Sequence, residues 1–391
     1  MATVRGVAQL TETPAAGVRR GRSPLTRILA LALLAAVGWL AVSVGLALTA
    51  AGSDSTAARL AEWARGHGLS SVVDRLEKVT YSAPAVGGRP AATSPLLAPR
   101  PTSVAATPAA PVARAARRTT ARSAVLAPVV PFASPALPGE GQWRVQGTVD
   151  GVAAVQAAFL RPDQLHTSYT AAVVRMDQRV VSFALHPGTQ EPGPGPWAQP
   201  DRIVSSERAD LLAAFNGGFR IDSARGGFFQ GGRTVGHLRD GAASFVLDDR
   251  GHASIGTWGR DMRMSSHVAA VRQNLDLLLD AGVIATGLDS NTGGRWGATL
   301  GNKLFVWRSG AGQTADGSIV YASGNRLSAG TLAALLKRAG CVRAMELDIN
   351  PEWTSFVNYP SERNILPDMQ RSPRRYDTTS TRDFFTVSRR R

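Results

Sequence analysis

The sequence predicts an α+β fold with a mixed, mostly antiparallel sheet and a few packed helices, preceded by a single transmembrane helix and a Pro/Ala-rich linker. Three observations predict it: an uncharged apolar run near the N-terminus, a proline-rich stretch after it, and a C-terminal part in which strand-like runs outnumber helical ones. The chain divides into a basic cytoplasmic N-terminus (1–27), a transmembrane signal anchor (28–51), a juxtamembrane amphipathic segment (52–80), a disordered linker (81–138) and a folded domain (139–391).

The apolar run 28–51 contains 24 residues and no charged side chain. At ~1.5 Å per residue such a helix spans ~36 Å, enough for a hydrocarbon core of ~30 Å. One acid, Glu12, precedes the run, together with the basic residues Arg5, Arg19, Arg20, Arg22 and Arg27. The positive-inside rule then places the N-terminus in the cytoplasm and the C-terminal domain outside the cell membrane. A cleaved signal peptide is the alternative, although its apolar region is shorter, ~7–15 residues.

The net charge of +15 lies largely outside the predicted domain. Residues 1–138 carry 15 basic and 5 acidic residues, whereas 139–391 carry 29 and 24. The charge therefore does not indicate a nucleic-acid partner. A single cysteine excludes an internal disulfide framework and a cysteine-based zinc site.

Two different stretches separate the anchor from the domain. Apolar residues in 55–81 fall near helical spacing with glycines between them, which fits either two short amphipathic helices or a plain stalk. Residues 81–138 hold 11 of the 23 prolines and no acid, so this stretch is predicted to stay extended and disordered.

The domain alternates short apolar runs with turn residues. A helix is predicted at 328–339 because Ser328 can cap its start and Gly340 can end it, and a second helix at 268–279 because its apolar residues recur at helical spacing. Strands are predicted at 152–160, 169–175, 180–186, 211–215, 243–247, 252–257, 303–308, 318–322 and 342–349.

The last predicted strand carries two acids on one face. Alternation places Glu346 and Asp348 ~6.5–7 Å apart on one side, while Met345, Leu347 and Ile349 lie on the other. Acids are depleted in strands, so the pair indicates either a pocket for a cation or substrate, or a solvent-facing edge with structural salt bridges. Both interpretations stay open from the spacing.

Further polar residues lie where other strands end. The turn Asn216-Gly217-Gly218 follows a strand, and glycine lets a backbone approach a ligand closely, although a plain turn explains the pattern too. Arg308 ends another strand, and a guanidinium group matches phosphate oxygens. Trp353, just after the acids, could stack on a sugar. The chain contains no GxxxxGK[ST], HExxH or GxSxG motif, which disfavours a P-loop enzyme, a zinc hydrolase and an α/β-hydrolase.

In chain order, these motifs resemble the phosphodiester glycosidase domain, the family of the mannose-6-phosphate uncovering enzyme. The motifs are AAFNGGF at 213–219, the SGAG stretch after Arg308, the helix at 328–339 and AMELDINPEW at 344–353. The sequence is most similar to membrane-anchored actinobacterial members, which share HPGTxEPG at 186–193, VRQNL at 271–275 and TRDFF at 381–385.

The resemblance implies an enzyme, a hydrolase that cleaves a sugar from the phosphate on its anomeric oxygen, with Asn216, Arg308 and Asp348 lining the site. We expect Arg308 to bind the phosphate, Asp348 to act as base or to face the developing oxocarbenium ion, and Glu346 to assist or ligate a cation. Substrate contacts are expected at Gly217, Gly218, His186 and Trp353. Ca²⁺ or Mg²⁺ would suit two acids with main-chain oxygens, but the residues do not demand a metal.

The expected partner is a phosphorylated glycan or cell-wall polymer. A non-catalytic module that binds envelope polysaccharide in the same pocket is the competing function. The chain departs from better-known family members after Asp348, where Ile349-Asn350-Pro351-Glu352 replaces a glycine-rich GGGS, so the sugar or phosphate subsite differs.

Overall fold

A computed structural model describes residues 24–50, 55–69, 71–73, 82–98, 126–290, 294–297 and 303–391. The predicted cytoplasmic segment up to residue 23 and the central part of the predicted linker, 99–125, lie outside the described residues. Four helices with defined bounds are described in these ranges: α1 (Pro24–Thr49), α2 (Thr56–Gly66), α3 (Ile221–Ala224) and α4 (Ala329–Arg338). Residues 71–73 are also helical.

Helix α1 belongs to a separate unit, Met1–Ala50. Its stretch Ile28–Thr49 is long and apolar enough to cross a membrane, the one such helix among the described residues. A signal sequence near an N-terminus has the same length and composition. The structure therefore supports a helical, apolar N-terminal segment, whereas its orientation and retention stay predictions.

An eight-stranded sheet forms the framework of the second unit, Ala51–Arg391. From edge to edge its strands are β1 (Arg144–Val149), β2 (Val152–Leu160), β3 (Ala171–Met176), β14 (Ile319–Leu327), β13 (Val306–Thr314), β15 (Cys341–Asp348), β11 (Leu277–Asp280) and β12 (Val283–Ile284). Strand β15, which carries the predicted acids, pairs with β13 and β11 and is therefore central.

Two five-stranded sheets complete the fold. One contains β7 (Arg233–Val235), β6 (Phe228–Gln230), β10 (Val268–Gln273), β8 (Ala243–Asp248) and β9 (Ala253–Thr257). The other contains β17 (Arg363–Asn364), β16 (Phe356–Asn358), β5 (Leu211–Asn216), β18 (Phe384–Arg389) and β4 (Val181–His186). Every pairing between these named strands is antiparallel. The prediction of mostly antiparallel sheets with few helices is confirmed.

The predicted helix at 268–279 is wrong. These residues form β10 and β11, separated by a bend at Leu275, whose φ is +56°. A short apolar run has nearly the same pattern in a buried strand as in a helix. Strand β10 pairs with β6 along one edge and with β8 along the other, and this pairing makes the segment a strand and not a helix.

The main core lies between the sheets. Side chains from all three sheets meet there, among them Phe215, Phe245, Phe385, Met345 and Leu347. The last two confirm the predicted apolar face of β15. Five aromatic rings pack around Phe215, with the Phe385 ring centroid 5.2 Å away. This core fixes β5, β15 and β18 relative to one another.

Helix α4 covers the opposite face of the eight-stranded sheet. Ser328 accepts a hydrogen bond from the Thr331 amide at 3.0 Å, as an N-cap residue does, and Gly340 follows the helix with φ +93°. Leu332 and Leu336 are fully buried beneath the helix. The predicted helix and both of its end signals are confirmed.

Parts of the predicted linker pack on the domain. Leu96 is fully buried in the main core, and Arg144 donates to the Pro95 carbonyl oxygen at 2.6 Å. Val129 is buried on the side of α4. The segments 82–98 and 126–138 are thus held by the fold on either side of 99–125, because each offers an apolar side chain that the sheets can bury.

Candidate active site

Asn216 ties three elements together at the end of β5. Its Nδ2 donates to Ser309 Oγ at 3.0 Å and to the Gly217 carbonyl oxygen at 2.9 Å. Its Oδ1 accepts from the Tyr321 hydroxyl and from the Ser355 amide, both at 3.1 Å. These bonds use both donors and both acceptor positions of the amide group. Asn216 therefore positions its neighbours in the buried interior.

Ser309 connects Asn216 to the end of β15. The Ser309 hydroxyl donates to the Asp348 carbonyl oxygen at 3.2 Å and accepts from the Asp348 amide at 3.1 Å. The stretches around Asn216, Ser309 and Asp348 therefore meet, although they lie far apart in the sequence. Ser309 was not predicted from the sequence, because its neighbour Arg308 carried the more obvious chemistry.

Arg308 points away from this junction and is enclosed. Its guanidinium group forms an ion pair with Glu346, whose side chain is fully buried. Its Nε donates to the Leu327 carbonyl oxygen at 3.0 Å, and its Nη2 and Nη1 donate to the carbonyl oxygens of Leu304 and Trp296 at 3.3 and 3.4 Å. Each nitrogen thus has a partner within the protein, and no hydrogen bond or ion pair joins Arg308 to the Asp348 carboxylate among the described residues.

The Asp348 carboxylate is buried next to Arg382. Asp348 is 2% exposed, its Oδ1 accepts from the Asn350 amide at 2.9 Å, and its Oδ2 lies 3.6 Å from Arg382 Nη2. Burial raises the pKa of Asp348 to about 6; the charge of Glu62 adds to the increase, and Arg382 and nearby amides oppose it. A carboxyl group with this pKa can exchange a proton near neutral pH.

Helix α2 lies beside the Asp348 loop. Its N-cap residue Ser55 donates to Glu352 Oε1 at 3.1 Å, and Glu62 forms an ion pair of 2.6 Å with Arg220. Ala58, on the same face of the helix as Glu62, is buried. For 55–81 the sequence left open two short amphipathic helices or a plain stalk. Helix α2 lies in this stretch and residues 71–73 are also helical, whereas residue 70 and residues 74–81 lie outside the described residues.

Three arginines surround the Trp353 ring. The guanidinium carbon of Arg382 lies 5.0 Å from the ring centroid, and those of Arg371 and Arg375 lie 5.5 Å from it. Trp353 is 3% exposed, so its ring packs against these cations. Arg375 also donates to the Trp353 carbonyl oxygen and to the Ser355 hydroxyl, which fixes the loop after β15.

Arg382 has unused donors in this cluster. It is 7% exposed, and its Nε and Nη1 have no hydrogen-bond partner among the described residues. Sequence analysis singled out the TRDFF stretch that contains Arg382 only as a family marker. No motif pointed to the residue itself.

The Asn216-Gly217-Gly218 turn approaches buried side chains. A Cβ at Gly217 would lie 2.6 Å from the carboxyl carbon of Asp383, and a Cβ at Gly218 would lie 3.0 Å from the guanidinium carbon of Arg272. Asp383 and Arg272 form a fully buried ion pair. The glycines are therefore required by close packing between the NGGF, VRQNL and TRDFF stretches.

Asn274 fastens the turn to the strand with the acids. Its Nδ2 donates to the carbonyl oxygens of Glu346 and Leu347 at 2.7 and 3.1 Å, and its Oδ1 accepts from the Phe219 amide at 3.1 Å. One side chain thus joins the NGGF turn to β15 just before Asp348.

His186 is buried away from Asp348. Its Nδ1 lies 2.9 Å from the Pro200 carbonyl oxygen, its Nε2 lies 3.0 Å from the Thr386 hydroxyl, and its ring stacks on Phe384 with centroids 4.5 Å apart. Burial lowers the pKa of His186, although Glu207 opposes the decrease. Both ring nitrogens thus have partners inside the fold, and no hydrogen bond or ion pair joins His186 to Asp348 among the described residues.

The described residues do not fit a site for Ca²⁺ or Mg²⁺. None of them form a group of three or more His, Cys, Asp or Glu side chains that could hold a metal ion. Glu346 gives one carboxylate oxygen to Arg308, and Asp348 gives one to a main-chain amide. Both carboxylates already face a guanidinium group, Glu346 that of Arg308 and Asp348 that of Arg382, and these positive charges disfavour a divalent cation beside them.

Comparison with known proteins finds no matching family model and no matching curated protein. The predicted family membership therefore stays a prediction. Among solved structures, the chain is similar to the catalytic domain of zebrafish N-acetylglucosamine-1-phosphodiester alpha-N-acetylglucosaminidase, auto-inhibited by its pro-peptide. The two are 15% identical with a TM-score of 0.41, over 64% of this chain and 88% of that one.

Two further solved structures are similar to the chain. A hypothetical protein from Synechocystis is 13% identical, with a TM-score of 0.36 over 62% of this chain and 63% of that one. A putative exported protein from Burkholderia pseudomallei is 14% identical, with a TM-score of 0.35 over 58% of this chain and 75% of that one. All three TM-scores lie below 0.5, so the function proposed below depends on the geometry of the site itself.

Proposed function

We propose that the chain is a membrane-anchored, extracytoplasmic hydrolase that cleaves the glycosidic bond of a sugar-1-phosphodiester in envelope polysaccharide or glycan. The observation that carries the proposal is Asp348: a buried carboxyl group with a pKa raised to about 6 by burial, at the end of a central strand and beside an arginine with unused donors. Helix α1 would anchor the chain, and the arginines before it favour an external domain.

The reaction needs one base and no strong acid. In the proposed step Asp348 accepts a proton from water, the water oxygen bonds to the anomeric carbon, and the bond from that carbon to the phosphate oxygen breaks. The phosphate leaves with the bonding electron pair as a monoester, which is stable as an anion because its second pKa is ~6. A single carboxylate facing the substrate is therefore sufficient, and Glu346 stays paired with Arg308.

The roles expected for Asn216, Gly217 and Gly218 become positioning roles. Asn216 and Ser309 hold the main chain of Asp348, and the two glycines allow the close packing that supports the turn. Asp348 is 2% exposed, and this burial raises the pKa of the proposed base. Because Asp348 is buried, a substrate can reach its carboxylate only if a segment that covers this side chain moves.

The test uses the full-length chain in detergent micelles with a panel of sugar-1-phosphodiesters in water enriched in ¹⁸O. Cleavage between the anomeric carbon and oxygen places ¹⁸O in the released sugar, whereas cleavage between phosphorus and oxygen places it in the phosphate. Activity should increase as pH rises through about 6, because Asp348 must be ionised to act as a base.

Asp348→Asn should lower kcat by about 10²–10⁴-fold, and Asp150→Asn, a matched change at a carboxylate that is 79% exposed, should leave it unchanged. An Asp348→Asn protein that is folded and fully active would remove the proposed role. Tight binding of phosphorylated wall polymer with no released sugar would instead favour the non-catalytic binding module.

A further inference from the structure

We propose that Arg382, and not Arg308, binds the anionic phosphate of the substrate, with its guanidinium group held against Trp353 and next to Asp348. The proposal rests on the proposed function for the identity of the anion as a phosphodiester. It identifies a residue in contact with substrate that the sequence did not predict. It also requires an anionic leaving group, here the phosphate on the anomeric oxygen.

The first step is the exclusion of Arg308. Each of its guanidinium nitrogens already has a partner, either the Glu346 carboxylate or a main-chain carbonyl oxygen. The side chain is 1% exposed. Its positive charge is already compensated by the fully buried Glu346 carboxylate, and a phosphate that replaced this carboxylate would leave it without a counter-charge in the interior.

The second step is the state of Arg382. It is as enclosed as an ordinary core residue, yet Nε and Nη1 have no partner among the described residues. The Asp348 oxygen 3.6 Å from Nη2 gives an electrostatic attraction but lies beyond hydrogen-bond distance. Buried donors are almost always satisfied, and exceptions occur at catalytic or ligand-binding positions. Arg382 therefore has N–H groups from which a bound anion could accept hydrogen bonds.

The third step is the surrounding charge. The ring of Trp353 lies against the guanidinium groups of Arg371, Arg375 and Arg382, so three positive charges meet at one buried aromatic side chain. Arg375 is fixed by main-chain carbonyl oxygens, and Arg371 lies 3.6 Å from a Glu352 oxygen. Of the three, Arg382 is the one that also approaches Asp348. The cation–π contact with Trp353, 5.0 Å from the ring centroid, restrains the Arg382 guanidinium group at this position.

The fourth step is the distance between base and anion. An oxygen held by Arg382 would lie a few ångströms from the Asp348 carboxylate, since the two side chains are already 3.6 Å apart. As the anomeric bond breaks, negative charge increases on the phosphate, and a fixed guanidinium group stabilises it where it develops. The same cation keeps Asp348 from becoming too weak an acid, because it opposes the increase of that pKa caused by burial.

The test measures binding of inorganic phosphate to the full-length chain in micelles by ³¹P NMR, together with its inhibition of hydrolysis. Arg382→Gln should weaken phosphate binding at least about tenfold, since a charged hydrogen bond is lost, and Arg382→Lys should restore part of the affinity. Arg374→Gln is the matched control, because that arginine is 77% exposed in the same loop, and it should bind phosphate as the wild type does.

A second measurement does not depend on the folding of Arg382 variants. Asp348→Asn removes a negative charge close to the proposed anion, so phosphate should bind this variant several-fold more tightly than it binds the wild type. Equal affinity in the two proteins, or a wild type that neither binds nor is inhibited by phosphate, would overturn the proposal.

The outcomes separate this inference from the proposed function. Loss of phosphate binding in Arg382→Gln, in a chain that hydrolyses none of the phosphodiesters, would support the anion site and remove the enzyme activity. Hydrolysis by Arg382→Gln with wild-type kcat, KM and phosphate inhibition would support the enzyme activity and remove the anion site.

Discussion

Replacing Asp348 by asparagine should stabilise the protein near pH 8 even though it removes the proposed base. Burial is the main reason that the pKa of this carboxyl group rises from 3.8 to about 6. The folded state therefore holds the proton more tightly than the unfolded chain does. This contribution to stability is complete below about pH 4 and is lost as pH rises through about 6.

The two pKa values give the size of the effect. Their difference corresponds to about 3 kcal/mol of unfolding free energy above pH 7, because each pKa unit is worth about 1.4 kcal/mol. Asparagine carries no charge, and its Oδ1 can still accept the hydrogen bond from the Asn350 amide. The variant should therefore keep the local geometry without the cost of burying an ionised group.

Urea unfolding of the full-length chain in micelles, followed by tryptophan fluorescence, measures this difference. Asp348→Asn should exceed the wild type by about 3 kcal/mol at pH 8 and by less than about 1 kcal/mol at pH 4. Asp150→Asn, at an exposed carboxylate, should show little difference at either pH. A variant that is no more stable than the wild type at pH 8, or equally stabilised at both pH values, would refute the reasoning.

Three other changes have defined outcomes. Glu346→Ala leaves Arg308 charged and unpaired in the interior, so unfolding free energy should fall by about 3–5 kcal/mol, measured by urea unfolding. Burial is the largest cause of the raised pKa of Asp348, and the negative charge of Glu62 adds to it. Glu62→Gln should therefore move the acidic limb of the pH–activity profile to lower pH, and a limb that does not move would contradict this. Gly217→Ala places a methyl group 2.6 Å from a buried carboxyl carbon and should lower the thermal midpoint.

From the sequence it was possible to predict which stretches of the chain meet at the site, but not in which direction each of their side chains points. Asn216 and Asp348 do meet, through Ser309, because strand ends brought together by the sheets carry polar residues. Arg308 and Ser309 are neighbours on β13 and point to opposite faces, so only one can face Asn216. The pairing of β13 with β15, with an irregularity between Ser309 and Gly310, decides which one does.

Arg382 could not be identified from the sequence for a different reason. Arginine supplies nearly all of the 44 basic residues, so a single arginine carries little information. Arg382 is proposed as the anion-binding residue because of its burial, its unused donors and its contacts with Trp353 and Asp348. All of these are properties of the folded chain. The predicted helix at 268–279 failed on the same ground, since strand pairing, which is non-local, overrode local spacing.

The packing of residues 82–98 has a consequence for proteolysis. Leu96 is enclosed in the main core, and the Ser55–Glu352 and Glu62–Arg220 contacts attach α2 to the same unit. A protease that cut the chain within 99–125 would therefore leave two fragments that stay associated without a peptide bond between them. Shedding of the domain from α1 would require a cut before residue 55.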